Sequence, residues 1–262
     1  MAGWPFGSFS GGDSARECER LRRRVEELEA RLAEGGDLPL PPPTLRSRIG
    51  GYEDADHFLG VGRKIFWDVK RLLGDVGTDL AAQAAVLDFG CGCGRVIRHF
   101  DGRGVKRVVG ADIDPEGIAW CRDHLGRVGE FHVTGHAPPL PFPADAFDLV
   151  YAISVFTHLP EDMQFGWLDE LRRVIRPGGL LIASFHAPEL LPPELAGHRD
   201  ALDRVGFVYV EGGGTPGLPD FYQNAWHTRA YVEREWARFL RPVHHRSRAI
   251  NNHQDAIVCR KA

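Results

Sequence analysis

From Ala84 onward, short runs of β-branched and aliphatic residues alternate with stretches whose apolar positions recur every three or four residues. That alternation predicts a parallel sheet with helices on both faces. Strands are expected near residues 86–89, 107–111, 130–133, 147–152 and 179–185. Between the last two, Met163, Trp167, Leu168, Leu171, Val174 and Ile175 share one helical face, which Arg176-Pro177-Gly178-Gly179 ends. That face is core. Beyond residue 186 the pattern changes to a helix over 191–204 and a Gly-rich hairpin around Gly212 to Gly217. A helix from about Arg229 to Phe239 follows, with Thr228 as its N-cap, and then two strands joined near Asn251-Asn252. The first of that pair should run parallel with the rest and the second return. The expected class is α/β: a doubly wound, mostly parallel seven-stranded sheet with a final antiparallel strand, an N-terminal helix and a cap or hairpin insertion.

Upstream, Cys18, Leu21, Val25, Leu28 and Leu32 are spaced 3, 4, 3, 4 within the charged stretch Ala15 to Glu34. This heptad seam suits a short parallel coiled coil, and so a homodimer, or a single helix lying on its own domain; two heptads alone are marginal in water. Gly35-Gly36 and the run Pro39 to Pro43 then break any helix and make a semi-rigid linker. Residues 1–43 are therefore read as a flexible N-terminus, helix and linker, and 44–262 as one catalytic domain.

At 262 residues with 43 % hydrophobic side chains, the chain can bury a substantial core. A net charge of −4 argues against a chain-wide grip on nucleic acid or on an anionic membrane, and favours a small-molecule acceptor. No run approaches the roughly 20 apolar residues that a membrane span needs. Five cysteines are an odd number, and Cys91 and Cys93 stand too close together for an ordinary bridge, so a reducing cytosol is expected.

The chemistry starts at Val86-Leu87-Asp88-Phe89-Gly90-Cys91-Gly92-Cys93-Gly94-Arg95, a buried strand entering a Gly-rich turn and then a helix. Gly90, Gly92 and Gly94 let the backbone approach a ligand, and Asp88 puts a carboxylate at the strand end. About 20 residues on, Arg107-Val108-Val109-Gly110-Ala111-Asp112 is a second strand ending in an acid, at the spacing where a carboxylate can hold both hydroxyls of a ribose. Asp114 reads instead as an N-cap, because Pro115 suits the first helical position and Glu116 the positive helix end.

Together these runs resemble the class I S-adenosylmethionine-dependent methyltransferases, over about Arg48 to the C-terminus. Pro139-Leu140-Pro141-Phe142, Phe147-Asp148-Leu149-Val150-Tyr151-Ala152, Ser154-Val155-Phe156-Thr157-His158-Leu159 and Pro177-Gly178-Gly179 follow in that family's order and spacing. The resemblance implies S-adenosylmethionine as cofactor. It places Asp88 and the loop Gly90, Cys91, Gly92 and Gly94 at the methionine part, Asp112 at the ribose, Ile113 at the adenine face, and residues 153 to 158, Ile153 first, along the far wall. Where many relatives have an acid after Gly135, this chain has His136, whose neutral ring could accept from the adenine amino group or be a plain loop residue. Ala137 offers a backbone amide there. The segment Arg48 to Gly62 resembles the lid that closes over the methionine end, or is an amphipathic cap helix.

Methyl transfer from a sulfonium needs positioning and water exclusion more than catalytic groups, but a hydroxyl acceptor must lose a proton, and histidine is the usual base. Topology puts three histidines at the carboxyl edge of the sheet. His186 ranks first because it follows the fifth strand, His253 second because its hairpin could move, and His158 third because it could simply bond its own loop. Tyr222, Trp226, His227 and Asn252 are candidates to line the acceptor, where aromatics beside amides suit a sugar or another polyhydroxylated compound. The scattered histidines lack ligand spacing, so no metal is expected. Two rivals remain: a non-catalytic cofactor-binding or scaffolding subunit, and a nicotinamide-dependent oxidoreductase, whose turn would usually read G-x-G-x-x-G.

Overall fold

A computed structural model describes residues 38–212 and 217–262. The heptads of Ala15 to Glu34, with the dimer they suggest, lie outside the described residues, as do residues 213–216 of the Gly-rich hairpin. Two helices open the compact unit Pro39–Ala262, α1 (Pro43–Gly50) and α2 (Ala55–Asp75). Asp54 caps α2 by accepting from the His57 amide at 2.6 Å.

The sheet then forms from β1 (Ala85–Phe89), β2 (Arg107–Asp112), β3 (Glu130–Val133), β4 (Phe147–Ala152) and β5 (Ile175–Phe185), joined in part by α3 (Pro115–His124) and α4 (Glu161–Val174). These five strands are parallel. Asp114 caps α3 by accepting from the Glu116 amide at 3.0 Å, with Pro115 at the first helical position. After β5 come α5 (Arg199–Val205), β6 (Phe207–Val210), β7 (Asn224–His227) and α6 (Arg229–Glu235), then β8 (Arg241–Ile250) and β9 (Gln254–Arg260). β6 and β7 pair antiparallel as a separate ribbon, which is the expected insertion.

The seven-stranded order is β3-β2-β1-β4-β5-β9-β8. β9 is antiparallel to both its neighbours and β8 runs with the other five, so the doubly wound class with a returning last strand holds. Two helices are shorter than the pattern suggested. Pro192 and Pro193 cannot supply ladder amides, and the chain forms a 3-10 turn over Pro193–His198 before α5 begins. Behind Thr228, which accepts from the Tyr231 amide at 3.2 Å, α6 tightens into a 3-10 turn at Trp236–Arg238.

Every residue of β4 is buried, as a strand covered on both faces requires. α4 closes one face with Trp167, Leu168, Leu171 and Val174. Burying each such side chain contributes roughly 1.5–3 kcal/mol relative to leaving it exposed. The strand order reverses between β1 and β4, and a crevice opens there beyond their carboxyl ends.

Candidate functional site

Two adjoining cavities occupy that crevice. The first is walled by the strand ends: Asp88 to Gly92 after β1, Ala111 to Asp114 after β2, and Ile153 to Val155 after β4. Gly90 has φ 85°, and a Cβ there would lie 2.3 Å from Val155 Cγ2; one on Gly92 would lie 2.6 Å from Ile49 Cδ1. Only glycine leaves that floor low enough for a ligand. Gly94 lines neither cavity and packs behind the loop against Leu125. The buried Cys91 thiol is held neutral by burial and by the nearby carboxylates of Asp112 and Asp88.

Asp112 faces the cavity from the end of β2. Its two carboxylate oxygens accept from the Gly92 amide at 2.7 Å and the Asp114 amide at 2.8 Å. Each oxygen keeps a further lone pair, so one side chain fixes the glycine loop and can still receive a pair of hydroxyls. Burial raises its pKa, and the two backbone amides oppose that shift.

Deeper in, Asp88 Oδ2 and Arg95 Nε are both buried with no hydrogen-bond partner. Burial pushes the Asp88 carboxyl up to about 8 and pulls the Arg95 guanidinium below its ordinary value. A carboxyl with one unbonded oxygen, its charge supported by the Tyr151 hydroxyl, and a guanidinium with one unbonded nitrogen along one cavity are a pair that a zwitterionic amino-acid end would complete. α1 closes over them: Arg48 reaches Asp114 at 3.0 Å and Glu116 at 2.6 Å. At the other end Ile113 and Ile153 give apolar walls, the buried Thr134 Oγ1 lacks a partner, and His136 packs edge-on against Phe221 at 5.3 Å between ring centroids. Ala137 lines neither cavity.

The second cavity shares Arg48, Ile49, Arg95, Ser154 and Tyr222 with the first, and extends between α2 and the β8–β9 turn. The three candidate bases stand side by side there: ring centroids are 6.1 Å apart for His158 and His186, and 6.2 Å for His186 and His253. His158 and His253 line the cavity, and His186 does not. His158 Nδ1 donates to the Gln223 carbonyl at 2.5 Å, and the ring stacks on Tyr222 at 4.3 Å. A carbonyl only accepts, so Nδ1 carries the proton; burial holds the ring below its ordinary pKa, neutral, with Nε2 as the lone-pair nitrogen. His186 differs. Its Nε2 faces the donating amide of Gln254 at 3.4 Å, and burial pushes it down to about 3, with His158 and His253 adding to the shift. His158 therefore lines the second cavity with a lone-pair nitrogen, whereas His186, ranked first from the sequence, lines neither cavity and faces a donor.

Of the residues expected at the acceptor, Tyr222 and Asn252 line the second cavity. Trp226 and His227 line neither. β6–β7 pairing buries Trp226 against Leu202 and Val208, and His227 is fully buried, bonded to Gln164 at 3.0 Å. Their aromatic neighbourhood is core, which corrects the acceptor role assigned to them. Sequence reasoning passed over Arg95 and Thr134, and held Ser154 only as part of the far wall; a basic residue directly after the third glycine was the available signal for the first. Among the described residues no His, Cys, Asp or Glu group could hold a metal ion, and no helix is long and apolar enough to cross a membrane.

Comparison with known proteins agrees with this geometry. Residues 87–183 match the methyltransferase domain family. The methyltransferase GfsG of Streptomyces halstedii is 34 % identical over 139 residues, covering 51 % of this chain and 45 % of the relative. An N-terminal Xaa-Pro-Lys N-methyltransferase of Xenopus laevis is 28 % identical, covering 54 % of this chain and 63 % of the relative. A crystal structure of an S-adenosylmethionine dependent methyltransferase from Mesorhizobium loti superposes with a TM-score of 0.52 at 16 % identity, over 72 % of this chain and 96 % of that one. Residues 87–183 therefore carry a methyltransferase domain, on a fold shared with that solved S-adenosylmethionine dependent methyltransferase. The matches span 45 % and 63 % of the length of these two curated relatives.

Proposed function

We propose that this chain transfers a methyl group from S-adenosylmethionine to a hydroxyl of a small-molecule acceptor, with His158 as general base. The observation that carries the reading is the His158–Gln223 bond, which leaves a neutral imidazole nitrogen in a cavity continuous with the cofactor's. S-adenosylmethionine supplies a methyl group on a positively charged sulfur, a leaving group already activated.

The side chains supply the rest. Asp88 receives the ammonium and Arg95 the carboxylate of the methionine end, Asp112 takes the ribose hydroxyls, and Ile113 and Ile153 sandwich the adenine, with His136 at its edge. Arg48 holds α1 across the opening, which excludes water. His158 takes the acceptor's proton at Nε2 as attack proceeds. A net charge of −4 favours a small acceptor over nucleic acid, and the four described cysteines, all free and buried, suit a reducing cytosol. The curated relatives' own names include a protein N-terminus and a tRNA as substrates, so the acceptor class has to be measured.

Calorimetric titration with S-adenosylhomocysteine and with a nicotinamide dinucleotide, followed by incubation with labelled S-adenosylmethionine and paired hydroxyl and amine acceptors, tests the proposal. Binding of the first ligand alone, with label transferred to hydroxyls, is the expected result. Label going only to amines would remove the base, and binding without any transfer would favour a scaffolding subunit.

A further inference from the structure

The turn between β8 and β9 lines the second cavity with Asn251, Asn252, His253 and Gln254, and the outer two of these are tied to different walls of the site. On one side is Asn251. Its amide donates to Asp68 Oδ2 at 2.8 Å and its Oδ1 accepts from Lys64 Nζ at 3.1 Å. Arg71 joins them, donating to Asp68 Oδ1 at 2.9 Å and to the Ala249 carbonyl at 2.7 Å. Lys64, Asp68 and Arg71 stand at i, i+4 and i+7 of α2, one polar stripe on a helix that otherwise buries apolar side chains.

On the other side is Gln254, buried at the start of β9. Its amide exchanges hydrogen bonds with Ser154 Oγ at 2.9 and 3.2 Å. Ser154 is a non-glycine residue at φ 59°, with its own amide donating to Ser184 Oγ at 2.8 Å, and it lines both cavities. A left-handed serine is strained and persists only where its surroundings determine it.

We propose that Asp68 and Gln254 are positioning residues for the acceptor: they anchor the two ends of the turn, so that Asn252 and His253 stand at a set distance from the transferred methyl group. The proposal rests on the second cavity being the acceptor's. The hairpin alone does not require such anchors. Asn251 and Asn252 have φ 52° and 55°, a conformation asparagine tolerates, so the turn would form without help from α2. Yet α2 commits a carboxylate only 5 % exposed to it, and burying a charge is unfavourable unless it is fully bonded. The two anchors also reach different walls, α2 and the cofactor-side Ser154, which fixes the turn in two directions. A hairpin that could move on sequence grounds is tied at both ends.

The test uses the full chain. Asp68→Ala should speed exchange of the Asn251 amide about tenfold or more and shift or broaden the His253 ring signals in NMR spectra. It should also raise KM for a hydroxyl acceptor roughly tenfold while kcat stays within about threefold, with S-adenosylhomocysteine affinity within about twofold of wild type. Asp68→Asn, whose carbonyl can still accept from Asn251, should recover most of each change. If Asp68→Ala fails to fold, Lys64→Met should give the same pattern at lower amplitude, and Gln254→Ala should act from the other end. Unchanged Asn251 and His253 signals would overturn the anchor. Altered signals with an unchanged acceptor KM would overturn the positioning role. Failure of wild type to bind S-adenosylhomocysteine would strike the parent reading instead, and the NMR comparison would still decide the anchor.

Discussion

The two cavities share a wall and are built in opposite ways. The first is local: Asp88 to Gly92 end one strand, Ala111 to Asp114 end its neighbour, and the Asp112 carboxylate ties the two ends through backbone amides. The second gathers α2, the segment after β4, the loop before β7 and the β8–β9 turn, and one of its ties, from Asn251 to Asp68, spans 183 residues. Main-chain geometry shapes the first cavity, and side chains arriving from afar shape the second. Changes in the second cavity should therefore alter transfer and spare cofactor binding, while changes in the first should weaken binding outright.

The largest separation is expected at His158. In His158→Ala, transfer to a hydroxyl acceptor should fall roughly 10²–10⁴-fold while S-adenosylhomocysteine affinity stays within about threefold. Burial holds the folded pKa below the ordinary value near 6.5, so the neutral, competent form persists into mild acid. The acidic limb of the rate profile should then lie below that value, with activity lost as pH falls through the folded pKa. Equal losses of rate and cofactor affinity would show that the cavities are not separable.

Asp112→Ala should give the converse pattern with a smaller effect. Losing charge-assisted bonds to two hydroxyls costs roughly 1–3 kcal/mol, or about 5- to 150-fold in affinity. Gly92 and Asp114 lose their common acceptor as well, so the loop should loosen. Calorimetry on folded mutant protein checks this, and an unchanged Kd would move the ribose contact to another residue.

Legibility in the sequence divides along the same line. The glycine turn, Asp112 and the Asp114 cap could be read because each depends on neighbours within a few positions, as with Pro115 distinguishing the cap from the ligand. The strand pattern was equally local, and the doubly wound class with its returning strand followed from it. What distant partners decide could not be read. His186 looked best placed because it follows β5, but Gln254, 68 residues on, faces its Nε2. Trp226 and His227 looked like a wall until β6–β7 pairing buried them. The last hairpin was left free to move because nothing near it in sequence reveals Lys64, Asp68 or Arg71.

The smallest effect tests the first cavity at its deepest point. Burial raises the Asp88 carboxyl to about 8, with the Asp112 charge adding and Tyr151 opposing, so at neutral pH the unliganded protein mostly holds that proton. An unfolded chain would lose it near pH 4, and the raised folded value therefore contributes stability that is complete below the unfolded pKa and declines as pH climbs toward 8. A bound ammonium favours the ionised carboxylate, so binding at neutral pH should expel close to one proton. Titration with S-adenosylhomocysteine in two buffers of different ionisation enthalpy measures that release directly. Between about pH 6 and 7.5, affinity should strengthen by up to tenfold per unit, since one proton per site is worth about 1.4 kcal/mol per pH unit. Asp88→Asn carries no such proton and should abolish both the release and the slope, even where its affinity at pH 6 is close to wild type. Proton release that survives in Asp88→Asn would place the titrating group elsewhere and remove Asp88 as the partner of the methionine ammonium.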